Sequence, residues 1–319
     1  MNRTIKEFKL ELEQIETSKA NGGKVEEVKP ECWTDDNWVA ELKLDGTRLK
    51  MHITSEGNRF DTRRISEKSG VFMERTNNFP HLRDLDLPEF EGTVLDGEGI
   101  ANVKTDTMGA TQSIVGSSPE KAWDRQDELG LIQYWVFDII KFKGDNLTTT
   151  PYEFRHRILE QVVKIITDKY PECGIKIVQQ HEKDKKEFYQ QVIGDGGEGI
   201  MLKDLRSTYG DRKGLIKCKK FERLSMIICG FKAGAGKYTG GVGSIQVKFY
   251  GEEPLTYASG LSDEQRWDMT KNPDKYLGRV VELEIQEKTK TGSLRHPRMI
   301  DLRDEILPEQ CTRNQNERP

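Results

Sequence analysis

A chain of 319 residues, 34% hydrophobic and 33% charged, is too long for one small core and suits two domains of unequal size. No apolar run approaches the roughly 20 residues that span a bilayer. The charged first ten residues lack the apolar centre of a signal peptide, so a cytoplasmic protein is expected. The formal net charge of −4 speaks against a polyanion partner on average. Residues 203–249, however, carry eleven basic side chains against Asp204, Asp211 and Glu222, a local +8 able to hold a phosphate backbone.

Residues 4–20 place Ile5, Phe8, Leu10, Leu12 and Ile15 near helical spacing, and Asn21-Gly22-Gly23 ends the predicted helix. Residues 38–53 read as two paired strands joined by a hairpin turn at Asp45-Gly46. Residues 93–95 and 134–140 read as buried strands. Residues 151–168 read as a helix whose apolar face holds Tyr152, Phe154, Ile158, Leu159, Val162, Ile165 and Ile166. Residues 176–178 and 199–202 return to strand. After about residue 221, short strand-like runs at 226–231, 244–250, 280–286 and 299–302 are separated by glycine-rich loops, which suggests a small β-barrel. The five cysteines are scattered, which argues against a zinc ribbon and leaves ordinary free thiols.

Chemistry concentrates in Glu41-Leu42-Lys43-Leu44-Asp45-Gly46-Thr47-Arg48. Strand alternation puts Trp38, Ala40, Leu42 and Leu44 on a core face and Glu41, Lys43 and Asp45 on the other. Alone, this is a charged hairpin on a solvated sheet. Further segments change its meaning: Leu95-Asp96-Gly97-Glu98, Trp135-Val136-Phe137-Asp138, Glu198-Gly199-Ile200-Met201-Leu202-Lys203 and Leu215-Ile216-Lys217-Cys218-Lys219. Together they offer a potential nucleophile, two possible metal ligands, a stacking ring and two phosphate-binding cations.

This set, in this order and over nearly the whole chain after Trp33, resembles the covalent nucleotidyltransferase superfamily of DNA ligases, RNA ligases and mRNA capping enzymes. Within it the chain looks most like the short bacteriophage and bacterial ATP-dependent DNA ligases. The resemblance implies an α+β fold: a nucleotidyltransferase (ATP-grasp-like ligase) adenylation domain over residues 1–220, then an all-β OB-fold barrel over residues 221–319. It makes Lys43 the nucleophile that takes AMP from ATP. Glu41 would face the adenine amino group, and Arg48 would contact the nucleotide sugar or the nick. Arg63, with Arg64 as a neighbouring rival, would grip the nick 5′-phosphate. Glu98 would hold the ribose or a metal, Phe137 would stack on adenine, Glu198 would bind Mg²⁺ or Mn²⁺, and Lys217 and Lys219 would hold the α-phosphate. For Asp96 and Asp138, structural hydrogen bonding stands beside direct ligand contact.

The barrel loop with Lys237 would lie on DNA, and Arg303 would meet the leaving pyrophosphate. Arg303-Asp304-Glu305 departs from the Asp-Lys that follows this arginine in many relatives, which leaves Arg303, Arg295 and Arg298 as alternatives. The implied partner is nicked double-stranded DNA, with monomer as the default state. A lysine with an ordinary pKa near 10.4 is a weak nucleophile at neutral pH, so burial and neighbouring cations are expected to activate Lys43. An NAD-dependent ligase is disfavoured by the lack of clustered cysteines. An RNA ligase or a capping guanylyltransferase shares the first domain, and a catalytically silent nucleic-acid binder is a third reading.

Overall fold

The structure, a computed structural model, describes residues 3–23, 25–104, 106–288 and 292–315. The chain divides into two compact units, Met1–Lys219 and Lys220–Pro319.

Two sheets build the first unit. One runs in the order Asn21–Gly23, Leu215–Lys219, Gly199–Asp204, Trp38–Leu42, Gln180–His181. Its strands alternate, so Trp38, Ala40, Ile200, Leu202 and Cys218 share a buried face with Cys32 and Val192 of the helices Pro30–Thr34 and Lys185–Gly194. Glu41, Met201, Lys203, Lys217 and Lys219 fall on the opposite face. The other sheet runs Phe72–Glu74, Gly57–Ile65, Thr47–Thr54, Val94–Ile100, Gln133–Phe142, Asp145–Asn146, with Ile175–Ile177 parallel to Gln133–Phe142. One of its faces carries Leu49, Met51, Phe60, Leu95, Tyr134 and Val136, all fully buried. They form one core with Ile114, Leu159, Val162 and Ile166 of the helices Thr107–Val115 and Tyr152–Lys169. Each such aliphatic side chain contributes roughly 1.5–3 kcal/mol by leaving water.

The predicted Asp45-Gly46 hairpin does not form. Trp38–Leu42 and Thr47–Thr54 belong to different sheets, and residues 43–46 cross from one to the other. Gly46 serves close approach rather than a turn. A Cβ there would collide with the Gly99 carbonyl and lie 2.9 Å from the Glu98 side chain. The true hairpin pairs Thr47–Thr54 with Gly57–Ile65, and Gly57 takes a φ of 115° that favours glycine.

The predicted helix over residues 4–20 is also absent. The segment runs as a strap with no regular structure. Its carbonyls are captured instead by fixed cations: Arg83 donates to Thr4 (2.7 Å), Arg59 to Leu10, Lys50 to Ile15 and Arg48 to Ser18 (2.8 Å). Asn77 and Glu56 accept from its amides. With backbone groups satisfied this way, the helical alternative loses its advantage. Beneath the strap lie the buried Lys50, Arg59 and Asp61, the charged side of the second sheet, and Arg83 at the end of the helix Pro80–Arg83.

The second unit is a five-stranded barrel, ordered Thr256–Ala258, Val242–Lys248, Glu222–Ala233, Val280–Ile285, Arg298–Leu302. A parallel bridge from Ser259 to Arg298 closes it, with Met299 donating to the Ser259 carbonyl at 2.7 Å. The helix Asp263–Lys271, opened by a Ser262–Gln265 capping box, links Thr256–Ala258 to Val280–Ile285. Strand order and helix position are those of an OB-fold. Leu224, Met226, Ile228, Ile245, Val247, Val281 and Leu283 fill it.

Candidate active site

A cleft of about 1020 Å³ opens in the first unit, and both sheets supply its walls. Lys43 enters just beyond the end of Trp38–Leu42, where its amide donates to the Gly199 carbonyl at 2.9 Å. Its Nζ lies 2.5 Å from Glu198 Oε2, and Lys219 takes the other carboxylate oxygen. Burial works to raise the Glu198 pKa, but Lys43 and Lys219 outweigh it and hold the group below the usual carboxylate range. Lys217 stands two residues from Lys219 on the same strand face. Burial, then repulsion from Lys219, Lys43 and Arg63, lowers its pKa.

The second sheet supplies Arg48, Glu98 and Phe137. Arg48 makes a two-pronged pair with Asp96 (2.9 and 2.5 Å) and stands 5.3 Å over the Phe137 ring. Asp96 also accepts from Tyr209 at 2.6 Å. Asp138 pairs with the buried Arg155 at 2.8 and 3.0 Å. Asp96 and Asp138 are thus structural anchors in this arrangement. Glu98 is pushed up to about 8 by burial, which Lys43 and Arg48 oppose and Asp96 and Glu198 reinforce.

Several of the sequence's assignments change form. Strand alternation puts Leu42 on the core face and Glu41 on the face opposite it. Instead Glu41 is buried and Leu42 is exposed, because the cleft face of this strand is enclosed by Tyr152 and Lys203. Arg63 and Arg64 are exposed at the rim, joined by Thr62, Met73 and Arg75. The basic run over residues 203–249 is divided between the two units, and within the first it is not all surface: Lys203 is buried against Glu41 at 2.7 Å, Arg206 pairs with Asp204, and Lys217 and Lys219 line the cleft. Lys237 sits exposed in a barrel loop. Arg303 is held by Glu282 at 2.5 Å and by Glu305, while Asp304 is taken by Arg279. The acidic pair after Arg303 therefore serves the barrel's own ion pairs.

Tyr152, Tyr209, Arg75 and residues 18–20 also line the cleft, without a motif of their own in the sequence. Lys203 carries a signal beyond its charge: Met201 and Lys203 alternate with the buried Ile200 and Leu202, a period that places Lys203 on the Lys217 side.

No group of three or more His, Cys, Asp or Glu side chains converges among the described residues, and none of their helices is long and apolar enough to cross a membrane. A magnesium ion commonly rests on one or two carboxylates with substrate phosphates completing its shell. Glu98 and Glu198, acidic groups crowded in a half-buried cleft, fit that pattern.

A lysine between acids and cations, an aromatic wall and an OB-fold unit define a covalent nucleotidyltransferase. Residues 21–219 match the family described as the ATP dependent DNA ligase domain, and residues 233–303 match the DNA ligase OB-like domain. The chain belongs to the ATP-dependent DNA ligase family. It is 29% identical to a DNA ligase of Methanocella arvoryzae over 301 residues, covering 85% of this chain and 52% of that protein. It is 28% identical to a DNA ligase of Methanopyrus kandleri over 304 residues, covering 85% and 53%. The chain thus spans about half the length of these curated relatives, both of them archaeal. Among solved structures, one from a structure–function study of Lig E DNA ligases superposes with a TM-score of 0.64 at 20% identity, covering 91% of this chain and 99% of that one. The ligase domain of Mycobacterium tuberculosis LigD gives 0.50 at 22% identity, covering 93% and 98%. Both carry the same two-domain fold.

Proposed function

We propose that this chain seals nicks in duplex DNA with ATP, passing AMP through Lys43. The observation that carries the reading is the line Lys43–Glu198–Lys219, with Lys217 and Glu98 in the same cleft. Lys43 parts from Glu198 and gives up a proton to solvent, and its lone pair attacks the α-phosphorus of ATP. The nitrogen–phosphorus bond forms as the bond to the β-phosphate oxygen breaks, and pyrophosphate leaves. Lys217 and Lys219 neutralise the charge that builds on the α-phosphate. Phe137 stacks on the adenine, and Glu41 accepts from its amino group. Glu98 and Glu198 would hold Mg²⁺ or Mn²⁺, which supplies charge stabilisation at the phosphates when bound.

AMP then passes to the nick 5′-phosphate: the nitrogen–phosphorus bond breaks as a phosphoanhydride forms. Arg63, with Arg64 and Arg75 beside it, grips that phosphate at the rim. The 3′-hydroxyl attacks the activated 5′-phosphorus, its proton leaves to solvent, and AMP is released. Lys237 on the barrel and the rim arginines contact the DNA backbone, so binding weakens with salt and ignores base sequence. Arg303 meets pyrophosphate only by exchanging its Glu282 and Glu305 partners.

The test is a sealing assay on nicked DNA, nicked RNA and hybrid duplexes with ATP or GTP. Sealing of nicked DNA with ATP is expected. Labelling by GTP alone, or sealing restricted to RNA, would replace this reading with a capping enzyme or an RNA ligase.

A further inference from the structure

Behind the Lys43 end of the cleft lies a buried polar cluster drawn from four separate stretches of chain. Glu41 Oε1 accepts from the Tyr152 hydroxyl and from Gln180 (3.4 Å), and Oε2 pairs with Lys203 Nζ at 2.7 Å. Lys203 also donates to the Tyr152 oxygen at 3.0 Å. The same two side chains reach one further atom. The Phe137 carbonyl accepts from Lys203 at 3.0 Å, and the Tyr152 hydroxyl, whose one proton is shared with Glu41, stands 3.1 Å from it. The Lys203 ammonium stands 5.1 Å from the centre of the Phe137 ring. Glu41, Phe137, Tyr152 and Lys203 all line the cleft.

We propose that Lys203 and Tyr152 are positioning residues that set the choice of nucleobase. They hold Glu41 as an acceptor-only carboxylate and hold Phe137 beside it through its carbonyl, so the cleft takes a 6-aminopurine and rejects a 6-oxopurine. This rests on the reading that Glu41 meets the base edge and Phe137 its face.

The logic is one of hydrogen-bond inventory. An ionised carboxylate offers about four acceptor sites and no donor. Tyr152, Gln180 and Lys203 fill three, which leaves one for an exocyclic amine. A 6-oxo group would set acceptor against acceptor in a site with little water, a mismatch that polar pockets reject strongly. A protonated Glu41 would reverse the preference, because its hydroxyl could donate to that oxygen. Burial raises the Glu41 pKa, and Lys203 is the largest pull the other way. Removing the Lys203 charge takes away the largest opposition to burial, leaves only the hydrogen bonds from Tyr152 and Gln180 against it, and favours the neutral acid. Tyr152, whose own pKa burial and then Glu41 drive well above the usual phenol range, remains a neutral donor throughout. Lys203 is thus more than packing: its charge keeps the acid in the one form that discriminates.

The experiment compares self-labelling of the full chain by ATP and by ITP, which differ at purine position 6 and in the proton on N1. Wild-type protein should favour ATP mainly through KM. Lys203→Met should raise the KM for ATP and shrink the ATP-over-ITP ratio in kcat/KM at least ten-fold. Lys203→Arg should restore much of it. Tyr152→Phe, which keeps the ring and removes only the hydroxyl, should shrink the ratio by a smaller factor, and it serves if Lys203→Met does not fold. Glu41→Gln, whose amide can donate, should improve ITP relative to ATP. Folded variants that lose labelling equally with both nucleotides, at an unchanged ratio, would overturn the proposal and reduce the cluster to scaffolding. A wild-type protein that labels with neither nucleotide would instead sink the underlying reading of the cleft.

Discussion

Glu98→Gln should stabilise the protein freed of nucleotide and divalent metal, because the wild-type carboxyl is held where ionisation is unfavourable. Its pKa of about 8 in the folded chain stands well above the ordinary 4.5. The folded state therefore keeps a proton that the unfolded state gives up. For an acid raised in this way, stability is fullest below the unfolded pKa and declines as pH climbs toward the folded one. The window is thus pH 4.5 to about 8. Within it this one group tilts stability downward by up to about 1.4 kcal/mol per pH unit. By pH 7 the accumulated loss reaches at most about 3 kcal/mol, and relaxation around a partly exposed side chain makes about 1–2 kcal/mol the working expectation. Glutamine keeps the shape and removes the ionisation.

The assay is urea unfolding at pH 5.5, 6.5 and 7.5 in chelator. A Trp267→Phe background leaves Trp33, Trp38, Trp123 and Trp135 as fluorophores, all in the first unit. The variant should gain on its parent steadily as pH rises. Parallel stability curves for the two proteins would refute the argument that buried charge in this cleft is held against its own desolvation.

Glu198→Ala, which takes away a carboxylate gripped by both Lys43 and Lys219, should cut metal-dependent turnover by orders of magnitude. An unchanged Mg²⁺ titration would count against its assignment as a metal ligand. Removing residues 1–14 takes two carbonyl acceptors from the buried Arg59 and Arg83. Leaving such donors unmet costs about 1–3 kcal/mol each, so urea midpoints of the first unit should fall clearly, and an unshifted midpoint would mean the strap is ornamental. Raising salt from 50 to 200 mM should weaken binding to nicked duplexes of any sequence by at least ten-fold in an anisotropy titration. Salt-independent binding would remove the phosphate-contact account of the rim arginines.

Much of the fold was legible because its signals are local. The apolar face of Tyr152–Lys169 announced a helix, and the spaced short strands after residue 221 announced a barrel. The strap was not legible. Ile5, Phe8 and Leu10 mimic helical spacing, yet what fixes the strap is a set of cations on the second sheet and on the helix Pro80–Arg83, and those partners are 30 to 79 residues away. Asp45-Gly46 misled for a related reason. Asp-Gly is a strong hairpin signal, but here glycine admits the Gly99 backbone from another strand.

The cleft's polar residues were readable as motifs because each sits on a strand, as Glu41, Glu98, Lys217 and Lys219 do, or directly at a strand end, as Lys43 and Glu198 do. The supports around them were hidden. Tyr152 looks like one more apolar helix residue, and only the fold brings its hydroxyl to Glu41. Charge counting failed at Lys203, where a basic residue on paper is a buried partner in space.

The proposed reaction turns on the amine of Lys43. Purified protein should be incubated with ATP and Mg²⁺, weighed intact and digested for peptide mapping, alongside Lys43→Ala. One adenylyl group on Lys43 of the parent, absent from the variant, is the predicted result. An adduct on a different residue, or one that survives in Lys43→Ala, would contradict it.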